Sequence, residues 1–341
     1  MDPSTERIFQ RGTQFLGCKY PILCGAMTWV STPALVAAVA QAGAFAALAG
    51  GSMPPQMLED AIAETRHLTD QPFAVNVITL GPAYQSHLEV LKQAHVPFVI
   101  FAGGIPKDSE IAAIKDSGAK VLCFAPTEPL ARRLLAYGAD ALLLEGTEAG
   151  GHIGPVALSV LLQQVLFQCD QVPVFVGGGL ATGKLMAHLL MMGAAGVQLG
   201  TRFAVAKECA AHPNFKQALL HASAKDAQPA GQFDSALPVT AVRTLRNKGT
   251  REFERLQLHL LSQLNAGHIT RQSAQEQVEH FWVGGLRHAA IDGDVQRGSV
   301  MAGQSVGLVN KEQTVQEIVQ DLVTTCDQEV TRIRELLGNR E

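Results

Sequence analysis

The chain has 341 residues, 47% of them hydrophobic and 17% charged, with a formal net charge of −4 at pH 7. That length suits a single barrel carrying an insertion, and a charged fraction below the roughly one quarter of an average soluble domain implies a large interior. Charges of both signs are interspersed without a basic stripe or tail, which excludes nucleic acid or an anionic membrane as the main partner and leaves a small-molecule pocket as the expectation.

The N-terminus, MDPSTERIFQRGTQF, has neither the basic start nor the apolar stretch of a signal peptide, and no run reaches the ~20 apolar residues of a membrane helix. Six cysteines (Cys18, Cys24, Cys123, Cys169, Cys209 and Cys326) form no CxxC pair, and several sit in apolar runs, a pattern suited to a reducing cytoplasm. A cytoplasmic protein is expected.

Along the chain, short apolar runs end in small or turn-forming residues: PILCGAM (21–27), FAALAG (45–50), FAVNVI (73–78), FVIFAG (98–103), KVLCFA (120–125), ALLLEG (141–146), VPVFVGG (172–178) and GVQLG (196–200). Between them lie stretches with helical spacing, including STPALVAAVAQAG, PQMLEDAIAETRHL, TEPLARRLLAYG, SVLLQQVLFQ and TGKLMAHLLMMG. Eight alternating units predict an α/β fold, a (β/α)8 TIM barrel, with an open doubly wound sheet as the alternative.

After residue 207 the pattern changes. AAHPNFKQALLHASAKDAQPAGQFDS is polar and broken, and REFERLQLHLLSQLNAGHITRQSAQEQVEHF reads as charged amphipathic helix. The reading is a barrel of 1–207 and 286–341 with an inserted helical lobe, 208–285, that covers the substrate. GDVQRGSVMAGQSVGLV (293–309) returns to small residues and is expected at the barrel mouth, before a final amphipathic helix over about 311–337.

In such a barrel the chemistry sits on loops after the strands. The strand ends offer Gly25, Ala26 and Met27, then Asn76, then Glu145 to His152, then GGGLATG with Gly178 and Gly179, then QLGTRF with Gln198, Gly200 and Thr201. Glycine lets backbone N–H groups approach a ligand, and the last two loops are where barrels of this kind hold phosphate; a tight turn with a helix cap is the plainer reading of GGG alone. Asn76 and Gln198 place amides in apolar strands, suited to a flat heterocycle or to a bond with a neighbouring strand.

His152, in EGTEAGGHIGP, differs by position from His67, His87, His95, His221, His259 and His280, which fall in helical, charged surroundings and read as solvated faces. Held by glycines at a barrel mouth, it would transfer protons or donate to a substrate carbonyl. Glu145 and Glu148 would orient it or serve as caps. No second histidine or cysteine falls at ligand spacing, so no metal is expected.

These residues resemble the FMN-dependent barrels that include enoyl-acyl-carrier-protein reductase II and nitronate monooxygenase. EAGGHIG, VGGGLATG and GVQLGTRF carry the likeness over nearly the whole chain, and TRFAVAKECAAHPNFK, TREFERL and GDVQRGSVMAGQSVGLV favour the reductase branch. One departure is CGAMTWVS, where those reductases tend to read GGMAWV, so Ala26 stands in place of a glycine. The resemblance implies FMN phosphate on Gly178, Gly179, Gly200 and Thr201, and the flavin ring near Gly25, Ala26, Met27, Asn76 and Gln304, with Glu145 and His152 beside it. It implies hydride transfer from NAD(P)H through FMN to an enoyl thioester, with His152 polarising the carbonyl or delivering the proton. An acyl carrier protein as partner and a homodimer through the lobe are expected. The alternatives are oxidation of alkyl nitronates by O2, NAD(P)H:quinone reduction, a flavin-free barrel acting on a phosphorylated sugar, and a non-catalytic binding module.

Overall fold

The computed structural model describes residues 1–230, 233–234, 236–237 and 241–338. Among them eleven strands run in chain order: β1 (Ile22–Cys24), β2 (Phe45–Ala49), β3 (Ala74–Ile78), β4 (Phe98–Ala102), β5 (Lys120–Phe124), β6 (Ala141–Glu145), the two-residue β7 (Gly151–His152), β8 (Val174–Gly177), β9 (Gly196–Leu199), β10 (Ala227–Ala230) and β11 (Val242–Leu245). All of them except β7, β10 and β11 form one closed parallel barrel in the order β1-β2-β3-β4-β5-β6-β8-β9, and β9 pairs back onto β1 through Ile22–Val197, Leu23–Gln198 and Cys24–Leu199. The fold is a TIM barrel, each of its eight strands one of the apolar runs read from the sequence.

The runs are continuously apolar because each strand is buried on both faces. Along β2, Phe45 and Ala47 point into a cluster with Leu23, Phe98, Ile100, Leu143 and Phe175 that fills the barrel, while Ala46 and Leu48 join the shell beneath the helices. Phe45 and Phe98 meet edge to face with ring centroids 5.0 Å apart. The helix Pro3–Leu16 closes the end where the strands begin: Leu16 and Phe15 pack onto the interior cluster, and Lys120 Nζ, at the start of β5, donates to Phe15 O at 2.8 Å. Site-bearing loops therefore collect at the other rim.

The lobe is not wholly helical. Its helices Lys248–Asn265 and Arg271–Ala290 are accompanied by an antiparallel sheet in which β11 lies between β10 and β7. Val242, Phe253, Leu260, Val278 and Trp282 form a separate core there, with Phe253 and Trp282 centroids 4.2 Å apart. The stretch expected to be polar and broken contains the helix Pro213–His221, whose Phe215 and Leu219 enter the main core; part of that stretch, residues 231–232 and 235, lies outside the described residues. The returning segment reaches the barrel mouth as expected, with Met301, Ala302 and Gly303 at the cavity, and the last helix runs Val315–Gly338. No helix among the described residues is long and apolar enough to cross a membrane.

Gly12 marks the tightest contact of the barrel floor, where a methyl group would sit 1.9 Å from Ala195 O and 2.7 Å from Pro21 Cβ. Gly12→Ala should cost about 1–3 kcal/mol, lowering the thermal midpoint by several degrees. Gly284→Ala meets no atom within 4 Å in the interior of its helix and should raise stability by about 0.5–1 kcal/mol. Parallel thermal unfolding of the two variants checks both signs.

Candidate active site

A cavity of about 350 Å3 opens at the rim where the barrel strands end, roofed by the lobe. Gly25, Ala26 and Met27 after β1, Asn76 in β3, Glu145 at the end of β6, His152 in β7, Gly178 and Gly179 after β8, and Gln198, Gly200 and Thr201 in and after β9 all line it. Gln304 does not: its side chain is exposed, and its neighbours Gly303 and Ser305 take the wall instead, because the 3-10 turn Gln304–Leu308 starts there and its backbone N–H donates to Glu148 O at 2.9 Å.

The glycine loop after β8 has the geometry a close ligand requires. Gly178 and Gly179 have φ of 92° and 73°, and a Cβ on Gly178 would lie 3.0 Å from Gly146 N and 3.1 Å from Gly146 O. Both glycines line the cavity in a conformation that side chains rarely adopt, and at Gly178 the packing against Gly146 leaves no room for one. Asn76 makes the bond to a neighbouring strand, its Nδ2 donating to Ile100 O at 3.2 Å, and it also lines the cavity. Gln198 Nε2 donates to Glu145 Oε2 at 3.3 Å. Burial without a compensating positive charge pushes the Glu145 carboxyl up to about 8.

His152 reaches the cavity through a local structure that the sequence did not disclose. β7 adds as an edge to β11, with His152 opposite Val242 and Gly151 opposite Arg243, and Ile153 N donates to Ala241 O at 2.9 Å. Arg243 is buried and fastens the same loop from below: Nε and Nη2 donate to Thr147 O at 3.1 and 2.8 Å, and Nη1 to Ala227 O at 2.7 Å. Glu148 serves as a cap, accepting from the Leu158 N–H at 3.1 Å, the first residue of the helix Leu158–Gln164.

The carboxylate nearest the imidazole is one that sequence reading missed. Glu279 Oε2, on the lobe helix Arg271–Ala290, lies 3.5 Å from His152 Nε2, and both residues line the cavity. In sequence Glu279 is one acid on a charged helix, without any local signal. Another correction concerns His87, read as a solvated face: it is fully buried, with Nε2 2.8 Å from Met53 O.

The model of the nitronate monooxygenase family matches residues 10–85 and 78–325. The chain belongs to the nitronate monooxygenase family. Among solved structures, this family member is similar to FabK from Thermotoga maritima, at 36% identity over 96% of this chain and 98% of that one with a TM-score of 0.85. It is similar as well to nitroalkane oxidase from Streptomyces ansochromogenes, at 28% identity over 94% and 99% of the two chains with a TM-score of 0.79. A curated relative from Rhodococcus jostii (strain RHA1), the (3aS,4S,5R,7aS)-5-hydroxy-7a-methyl-1-oxo-octahydro-1H-indene-4-carboxyl-CoA dehydrogenase, is 29% identical over 332 residues, 91% of this chain and 94% of its own length. The nitronate monooxygenase-family chain is thus an oxidoreductase.

Glu145 gives this oxidoreductase a stability signature. Its proton is held in the folded chain up to about pH 8, against an ordinary value of 4.5. Between those values the unfolded chain binds fewer protons, so the stabilisation is present in acid and is lost as pH rises through about 8. For ligand-free protein, the thermal midpoint of wild type should fall relative to Glu145→Gln between pH 5 and pH 8; parallel pH curves would remove the buried-acid assignment.

Proposed function

We propose that the chain is an FMN-dependent NAD(P)H oxidoreductase that reduces the 2,3 double bond of an enoyl thioester. The reading is carried by one observation: the imidazole of His152 shares a single cavity with the left-handed glycine loop Gly178–Gly179 and with Gly200 and Thr201. Support comes from 36% identity along nearly the full length of FabK, an enoyl-acyl-carrier-protein reductase II, and from a relative named for a carboxyl-CoA, itself a thioester.

The residues present fit FMN. Gly178, Gly179 and Gly200 bring backbone without side chains to the cavity wall, where N–H groups would meet a phosphate, and Thr201 adds a hydroxyl at the same wall. Asn76 and Gln198 bring amides, and Gly25 and Ala26 a small-residue floor, where a flat heterocycle would lie. Bound there, FMN would supply the redox chemistry, with NAD(P)H as co-substrate. The chain's own residues hold and orient. Glu145, largely protonated at neutral pH, would offer a hydrogen-bond donor without adding negative charge beside the ring. His152 would face the thioester carbonyl, donate to its oxygen and hand a proton to the α-carbon. Trp282, Val283 and Leu286, on the cavity side of the lobe helix, would exclude water and receive the acyl group, whose carrier would be acyl carrier protein or coenzyme A.

NADH oxidation assayed with a crotonyl thioester, an alkyl nitronate and a quinone distinguishes the reactions open to this family, and the thioester should be turned over fastest. His152→Ala should lower that turnover by about 10²–10⁴-fold while the purified variant keeps its flavin colour. Undiminished turnover would remove the role of His152, and a preference for nitronate would replace the substrate.

A further inference from the structure

We infer that Glu279 is the positioning residue of His152: its carboxylate holds one imidazole proton on Nε2, so that a second proton, taken up from solvent, sits on Nδ1, the nitrogen that gives it to the substrate and is left bare afterwards. The inference deepens the proposed function and rests on its reading of His152 as the group that handles the proton.

The geometry assigns the task by elimination among the charged groups around the ring. Glu145 accepts from Gln198 at 3.3 Å, and Glu148 accepts from the backbone N–H of Leu158. Arg243, opposite Gly151 in the sheet, spends its guanidinium on Thr147 O and Ala227 O. Glu279 Oε2, 3.5 Å from Nε2, is the charged atom that approaches the imidazole, and Nδ1 has no protein partner among the described residues. A carboxylate accepts and cannot donate, so in the neutral ring the proton belongs on the nitrogen that faces it. The separation is that of an ion pair, longer than a good hydrogen bond, as is common where a catalytic contact tightens only with substrate in place.

Glu279 is also held firmly enough to do this. Its helix is tied to the barrel on both sides: Trp29 Nε1, in the loop after β1, donates to Val283 O at 3.3 Å, and Ser299 N donates to Gly285 O at 2.7 Å. Trp29 itself sits in the left-handed region at φ 66°, unusual for a bulky side chain and maintained by its surroundings. Trp282, three residues after Glu279 on the same face, is packed between Phe253 and Phe281. The lobe therefore holds His152 twice, by β11 along the backbone and by Glu279 at the ring.

The test reads the ring directly and needs no substrate. In full-length holoenzyme with 15N-labelled histidine, at alkaline pH, the ring nitrogen shifts of His152, assigned by their absence in His152→Gln, should report the Nε2–H tautomer. In Glu279→Gln, which keeps the volume and can turn an amide N–H toward the ring, the proton should move wholly or partly to Nδ1, as it should lose its preference in Glu279→Ala. Turnover of the crotonyl thioester should fall about tenfold or more in Glu279→Gln, with KM for NADH changed less than twofold and FMN retained. An Nδ1–H tautomer in wild type, or one unchanged in both variants, overturns the inference. Should wild type fail to reduce the thioester at all, the proposed function fails by itself, and the tautomer measurement still decides the place of Glu279.

Discussion

The pairing of β9 with β1 is the contact on which the site depends. It converts eight parallel strands into a closed wall, so every strand must end at the same rim, and the loops after β1, β3, β6, β8 and β9 converge whatever their distance in the chain. In an open sheet Gly25 and Gly200 would lie apart. Closed, they line one cavity with His152 and Gly178, and Leu23 and Gln198 stand in register across the seam. The interior rings of Phe45, Phe98 and Phe175 keep that wall from collapsing, and Phe15 and Leu16 seal its far end.

Onto this rim the lobe is built around the histidine rather than beside it. β7 is too short to hold itself; its two residues gain their place from β11, and Arg243 anchors the loop by two bonds to Thr147 O and reaches Ala227 O of β10 with a third. Burying a guanidinium is costly unless its donors find acceptors, and here Nε, Nη1 and Nη2 each meet a carbonyl, Thr147 O in the loop or Ala227 O in β10. Barrel and lobe are thus joined at the residue that both family resemblance and geometry single out.

Much of this was legible in the sequence for a physical reason. Parallel barrel strands are buried on both faces, so each appears as an unbroken apolar run, and the glycines that end it mark the ligand-facing rim. Strands of the lobe left no such trace: AQPA carries a proline and an exposed glutamine, VRTL is four residues with a buried arginine, and β7 is a glycine and a histidine. Periodicity needs length to show. Glu279 could not be found because its role depends on a helix folding back over the rim, and no local pattern encodes that approach. Gln304 was placed by resemblance alone, and a backbone turn that bonds to Glu148 puts its side chain outside the cavity.

In the proposed function the glycine rim grips a flavin's phosphate and sets its ring against His152. The visible spectrum of the purified full-length protein, followed by anaerobic titration with NADH and then an enoyl thioester, tests it most directly. The expected protein is yellow, releases FMN on denaturation, bleaches with NADH and recovers its colour with the thioester. A colourless protein that takes up no FMN on reconstitution would contradict that function.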